Sequence, residues 1–94
     1  MAAYEIKITA LAVDELKAIN VYDRRRVADA IRDQLTHLPT VTTQNRKRLD
    51  AAVPAFEHTP PVWELRIGEY RVFYDVDKAD EIVYVRAVRR KKAD

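Results

Sequence analysis

One segment constrains the chain more than any other: Val62-Trp63-Glu64-Leu65-Arg66-Ile67-Gly68-Glu69-Tyr70-Arg71-Val72-Phe73-Tyr74-Asp75-Val76. Two alternating runs of apolar and polar residues flank the single glycine of the sequence. Alternation with period two marks a strand with one buried face. A glycine followed by one further residue suits a two-residue type II′ turn, whose first central position needs positive φ. With Gly68-Glu69 as the turn, the register follows: Ile67 faces Tyr70, Arg66 faces Arg71, Leu65 faces Val72, Glu64 faces Phe73 and Trp63 faces Tyr74. The apolar residues then share one face, which must be covered. The other face sets two guanidinium groups side by side.

A third strand is expected at Ile82 to Val88, after the polar turn Asp77-Lys78-Ala79-Asp80. Val88 breaks the parity of Val83 and Val85, which points to a bulge or to burial on both faces. At the other end, Tyr4 to Thr9 alternates as a half-buried strand. Thr9 suits the N-cap of a helix from Ala10, with Leu16 and Ile19 on one side. Asn20 and Tyr22 interrupt it, and Asp23 is the expected cap of a second helix. Its stripe is Val27, Ala30, Ile31, Leu35 and Leu38, and Pro39 ends it. Thr40 to Pro61 has no period and holds three of the four prolines, so it reads as a long loop with room for one short ordered piece, anchored briefly at Leu49. Loops of that length in a small domain are functional or mobile. The expected fold is one α+β domain over residues 1–94: an N-terminal strand, a helical hairpin and a three-stranded antiparallel meander. The helices pack on one face of the sheet.

At 94 residues such a domain buries one modest core, and 48% hydrophobic with 34% charged residues suits a folded, soluble chain. With no cysteine, disulfides and thiolate metal sites are excluded. The opening MAAYEIKITA lacks the basic start and apolar run of a signal peptide. No apolar stretch reaches the roughly 20 residues that span a bilayer. A cytoplasmic location and no membrane partner are therefore expected. There is no phosphate-cradling glycine loop, nucleophile elbow or His–carboxylate cluster, so neither cofactor nor metal is expected.

The charge balance is only +2, yet it is unevenly distributed. Arg86 to Asp94 carries five basic residues and one acidic residue, which leaves the rest of the chain slightly acidic. Like charges opposed on a sheet cost a few tenths to about 1 kcal/mol, so Arg66 facing Arg71 makes sense if an anion bridges them. Arginine forks suit phosphate. The plainer alternative is that the two side chains splay into water or are neutralised by Glu64 and Asp75. Arg86, Arg89, Arg90, Lys91 and Lys92 leave the last strand beside this pair, although basic tails are often merely solvated. Arg46-Lys47-Arg48 in the long loop is a further contributor, and Phe73 on the same face offers a stacking surface for an unpaired base. Arg24-Arg25-Arg26 reads as a solvated face, His37 as a surface residue at a helix end, and His58 has no assignable partner.

Leu65, Arg66, Gly68, Tyr70, Arg71 and Tyr74 together resemble the L-R-x-G-x-Y-R, apolar-x-Y pattern of the RelE/ParE superfamily of type II toxins. Asn45-Arg46-Lys47-Arg48-Leu49 is similar to that family's basic segment before the sheet. The resemblance implies a toxin restrained by a cognate antitoxin protein. RelE-like members are ribosome-dependent, metal-independent mRNA endoribonucleases in which basic side chains activate the ribose 2′-hydroxyl and stabilise the phosphate. By that resemblance Arg71 falls on the catalytic arginine of the hairpin and Lys91 near the catalytic basic position after the last strand, where Arg90 replaces a frequent histidine. Arg66 joins Arg71 at the scissile phosphate, and Glu64 is a general base or simply an ion-pair partner of either arginine. Arg46, Lys47, Arg48, Phe73, Arg89, Arg90 and Lys92 would hold RNA. The chain departs from the pattern at Val62 and Glu64, where RelE has lysines, and it has no counterpart of the C-terminal tyrosine of several ribonuclease members. ParE-like members share the fold and inhibit DNA gyrase instead. That alternative stands, as does a degenerate RNA-binding member.

Overall fold

The computed structural model describes residues 3–50 and 54–91. Five strands and two helices follow one another as β1 (Glu5–Ile8), α1 (Ala10–Lys17), α2 (Val21–Leu35), β2 (Arg46–Leu49), β3 (Val62–Ile67), β4 (Tyr70–Asp77) and β5 (Ile82–Arg90). They form one sheet of order β1-β5-β4-β3-β2, in which β1 runs parallel to β5 and the other pairs are antiparallel. The α+β class and the helices on one face are as expected. The sheet is wider than the three-stranded meander expected from the sequence.

The central hairpin has the register dictated by its turn, from Ile67 against Tyr70 to Trp63 against Tyr74. Gly68 takes a φ of +55°, and among the described residues only Glu81 is a non-glycine with positive φ, so Glu69 does not share it. That is the type II′ arrangement. Trp63, Leu65, Ile67, Tyr70, Val72 and Tyr74 pack with Val83, Val85 and Val88 of β5 against the helices. Those helices contribute Ala12 and Leu16 from α1, and Val27, Ile31 and Leu35 at four-residue spacing from α2. The parity break in the last strand is a bulge: Phe73 pairs with Ala87 and Tyr74 with Val85, leaving Arg86 as the extra residue.

Three expectations need correction. The second helix starts at Val21, capped by Asn20, whose side chain accepts the Asp23 amide at 2.9 Å. Asp23 is freed for another partner, Tyr70. The helix also ends at Leu35, so Leu38 lies outside it and is half-exposed rather than in the stripe. The presumed loop contains β2, which only Leu49 signals as apolar. Its register comes from Thr43, whose hydroxyl accepts the amides of Asn45 and Arg46, and from the Arg66 amide donated to the Asn45 carbonyl at 2.7 Å.

Arginine near the start of α2 is tolerated because Arg24 does not sit idle in water. Its guanidinium donates to the carbonyls of Leu16, Lys17 and Ile19 at 2.9–3.0 Å. Those carbonyls lie at and just past the end of α1, where a helix leaves acceptors without a full set of partners. Among the described residues no helix is long and apolar enough to cross a membrane.

Candidate functional site

The sheet face away from the helices carries the charges. Its first rung is Arg66, Arg71 and Arg89, directly opposed on β3, β4 and β5. Adjacent strands lie about 4.8 Å apart, so three guanidinium stems share roughly 10 Å. The hairpin register alone sets the first two side by side; the third was expected in a tail. Because β5 continues to Arg90, Arg89 and Arg90 are strand residues on opposite faces. The next rung is Lys47, Glu64, Phe73 and Ala87.

Arg71 is largely buried and folds back on its hairpin, donating to the carbonyls of Gly68 and Tyr70, each at 2.9 Å. Its Nε lies 3.9 Å from Glu64 Oε1. Phe73 is half-buried, and Phe56 from the segment before β3 rests against it with ring centroids 5.7 Å apart. The Arg89 guanidinium lies over the other ring at 5.8 Å from the Phe56 centroid. A groove of about 380 Å³ results, with Leu49, Pro54, Ala55, Phe56 and Phe73 as apolar lining and Arg71, Arg89 and Lys91 as its cations; Arg90, whose guanidinium is held by Glu69, also borders it. That volume lies at the lower end of small-ligand sites.

The neighbourhood is held by ion pairs. Arg86, on the bulge, grips Asp75 through two bonds of 2.7 and 3.2 Å and stacks over Tyr84 at 4.9 Å. Asp75 is 2% exposed and also accepts the Thr59 amide at 3.1 Å. It therefore does not neutralise the Arg66–Arg71 pair. Glu15 of α1 accepts the Val88 amide at 2.9 Å and forms an ion pair with Arg89. Arg90, on the helix side, pairs with Glu69 of the turn, whose hydrogen bond raises its already high pKa. Nearby, Tyr70 donates its hydroxyl to Asp23 at 2.8 Å. That bond is the main reason Asp23 titrates below its ordinary value of 3.8 and Tyr70 above 10.0.

Of the residues proposed from sequence, the fold gathers Arg71, Phe73, Arg89, Arg90 and Lys91 around one groove and sets Glu64 beside Arg71. Arg66 is exposed on the same rung, and Lys47 lies on the same face one rung away. Arg46 and Arg48 do not join them, because alternate residues of a strand point to opposite faces. Arg46 is 7% exposed and donates to the carbonyls of Gln34 and Val41. Arg48 pairs with Asp50 at 2.7 Å, beside Trp63 and Pro61. Lys92 lies outside the described residues. His58 is occupied locally, its Nδ1 2.8 Å from the Phe56 carbonyl.

Sequence reasoning missed Phe56, Glu15 and the Asp75–Arg86 pair. Phe56 sits in an aperiodic segment where only its aromatic character could have drawn notice. The pairing of Arg86 depends on the bulge that turns it toward Asp75. Among the described residues no three His, Cys, Asp or Glu side chains gather as a metal site.

Comparison with known proteins adds two findings. The model of the ParE toxin of the type II toxin–antitoxin system parDE matches residues 6–94. Among solved structures, the chain is similar to the toxin–antitoxin complex RelBE2 from Mycobacterium tuberculosis, with 18% identity, 96% of this chain and 100% of that chain covered, and a TM-score of 0.73. It is also similar to the archaeal RelE–RelB complex from Pyrococcus horikoshii, with 22% identity, 97% and 98% coverage and a TM-score of 0.73. For the isolated E. coli RelE toxin the values are 16% identity, 98% and 88% coverage and a TM-score of 0.69. No curated protein matches the sequence.

Proposed function

The chain belongs to the ParE toxin family of type II toxin–antitoxin systems, and on that premise we propose that it cleaves messenger RNA on the ribosome until a cognate antitoxin covers its basic face. The observation that carries this reading is the groove in which Arg71 and its neighbour Glu64 adjoin Phe73 and the cations Arg89 and Lys91. Single strands are held by backbone cations together with aromatic surfaces for bases, and this groove offers both. Glu64 takes the proton of the ribose 2′-hydroxyl, which attacks the adjacent phosphorus in line. Arg71 and Arg66 stabilise the added negative charge, and Lys91 protonates the departing 5′ oxygen. The products are a 2′,3′-cyclic phosphate and a 5′-hydroxyl. Catalysis of this kind rests on positioning and on charge placed before the reaction begins. Two of the similar structures are complexes with an antitoxin, which supports a partner of that kind for this chain.

A second reading, non-catalytic inhibition of DNA gyrase, is favoured by the ParE family match and by one electrostatic feature. Arg71, Arg89 and Arg90 each have a carboxylate of their own chain close by, in Glu64, Glu15 and Glu69. Such matched charges suit a protein partner with spaced acidic groups as well as they suit phosphate.

The test is induced expression with cleavage mapping by primer extension on translating ribosomes. Wild-type protein should stop growth and leave mapped cuts, and Arg71→Ala should slow cleavage about 100-fold or more, as loss of a transition-state donor does. Growth arrest with intact mRNA and DNA breaks would establish the second reading instead.

A further inference from the structure

We propose that Phe56 is a base-stacking residue of the groove, and that the buried Asp75–Arg86 pair acts as its positioning device. The proposal rests on the reading of the groove as a site for single-stranded RNA. Phe56 lies outside the hairpin motif, yet it supplies one wall of the groove, half-exposed, with Phe73 against it and Arg89 above it. A core phenylalanine would be covered; this one keeps ring surface toward a cavity whose other lining includes Arg71 and Lys91. Apolar aromatic surface bounded by cations matches the chemistry of a nucleotide, a flat base joined to an anionic phosphate.

The segment of Phe56 forms no helix or strand between residues 54 and 61, and within it only His58, bonded to the Phe56 carbonyl and edge-on to its ring, steadies the residue. Three residues on, the Thr59 amide is donated to Asp75, and Asp75 is fixed by the two-bond grip of Arg86. The bulge places Arg86 where it can reach Asp75, so an irregularity of β5 sets the position of the groove wall. A fully satisfied, buried network of this kind is rigid, which is what a stacking surface needs.

The test compares two labelled probes by fluorescence anisotropy at low salt: a single-stranded hexa-adenylate RNA and an inorganic polyphosphate of matching charge. Both should bind the wild-type protein through its cations. Phe56→Leu should weaken the RNA roughly ten-fold, the range expected for loss of one stacked base, and leave polyphosphate binding unchanged. Asp75→Asn, checked as folded by circular dichroism, should produce the same split in smaller measure. Equal weakening of both probes, or of neither, by Phe56→Leu overturns the stacking role while the RNA reading stands. If the wild-type protein binds neither probe, the reading of the groove and this proposal fall together.

Discussion

The Asp75–Arg86 pair makes a demanding prediction about stability. The two side chains are 3% and 14% exposed, and Asp75 satisfies a third group, the Thr59 amide. Removing one partner of a buried pair leaves an uncompensated charge and costs about 3–5 kcal/mol. Asp75→Ala belongs at the lower end, about 3 kcal/mol, because the slight exposure of Arg86 lets water solvate part of the stranded guanidinium. In a domain of this size each kcal/mol moves Tm by roughly 4–8 °C, so a fall of about 12–24 °C is expected. Urea unfolding supplies the free energies, followed through the fluorescence of Trp63, the sole tryptophan and 6% exposed. The decisive measurement is the double-mutant cycle. Once Asp75 is gone, Arg86→Ala should cost about 1–3 kcal/mol less than it does in the wild type, since the charge it removes has lost its partner. Costs that add to within about 0.5 kcal/mol would mean that the two groups do not act on one another, and the account of how the groove wall is held would fail.

Two further predictions follow from the same geometry. Tyr70→Phe should return the titration of Asp23 toward 3.8, read from its side-chain carboxyl carbon by NMR, because the lost hydroxyl bond is the largest cause of the lowering. A lowered carboxylate pKa stabilises the fold above the ordinary value and loses that contribution as pH falls through the folded one, so acid unfolding below about pH 3.8 should be less steep in Tyr70→Phe than in wild type. Arg46→Ala should destabilise by about 2–3 kcal/mol, since it deprives the Gln34 and Val41 carbonyls of a charged donor, whereas Lys47→Ala should stay within about 0.5 kcal/mol. Equal destabilisation by the two in urea melts would contradict their placement on opposite faces.

The amino-acid sequence alone determined the hairpin, and through it the heart of the site. A single glycine between two alternating runs leaves one register for β3 and β4, and that register places Arg66 beside Arg71 and lays out the apolar face. Such information is local, carried by periodicity and turn chemistry, and so it can be read without the fold. The parity break before Val88 likewise flagged an irregularity, a bulge or burial on both faces, but not which, nor its consequence. What lies beyond depended on tertiary structure, because it rests on contacts between segments far apart in the chain. β2 has little apolar pattern and owes its pairing to β3 and its anchorage to α2 through Arg46. The strand character of Arg89 depends on β5 running on beside β4, which turns an apparent basic tail into the third member of an arginine row. Asn20 rather than Asp23 caps α2, and the Asp23 carboxylate, left free by that start, meets Tyr70 of β4, a partner 47 residues away that only the fold supplies. The aromatic wall at Phe56 is set by a buried ion pair nineteen and thirty residues away in sequence. Periodicity shows which residues share a face of one element; only packing decides which elements bring their faces together.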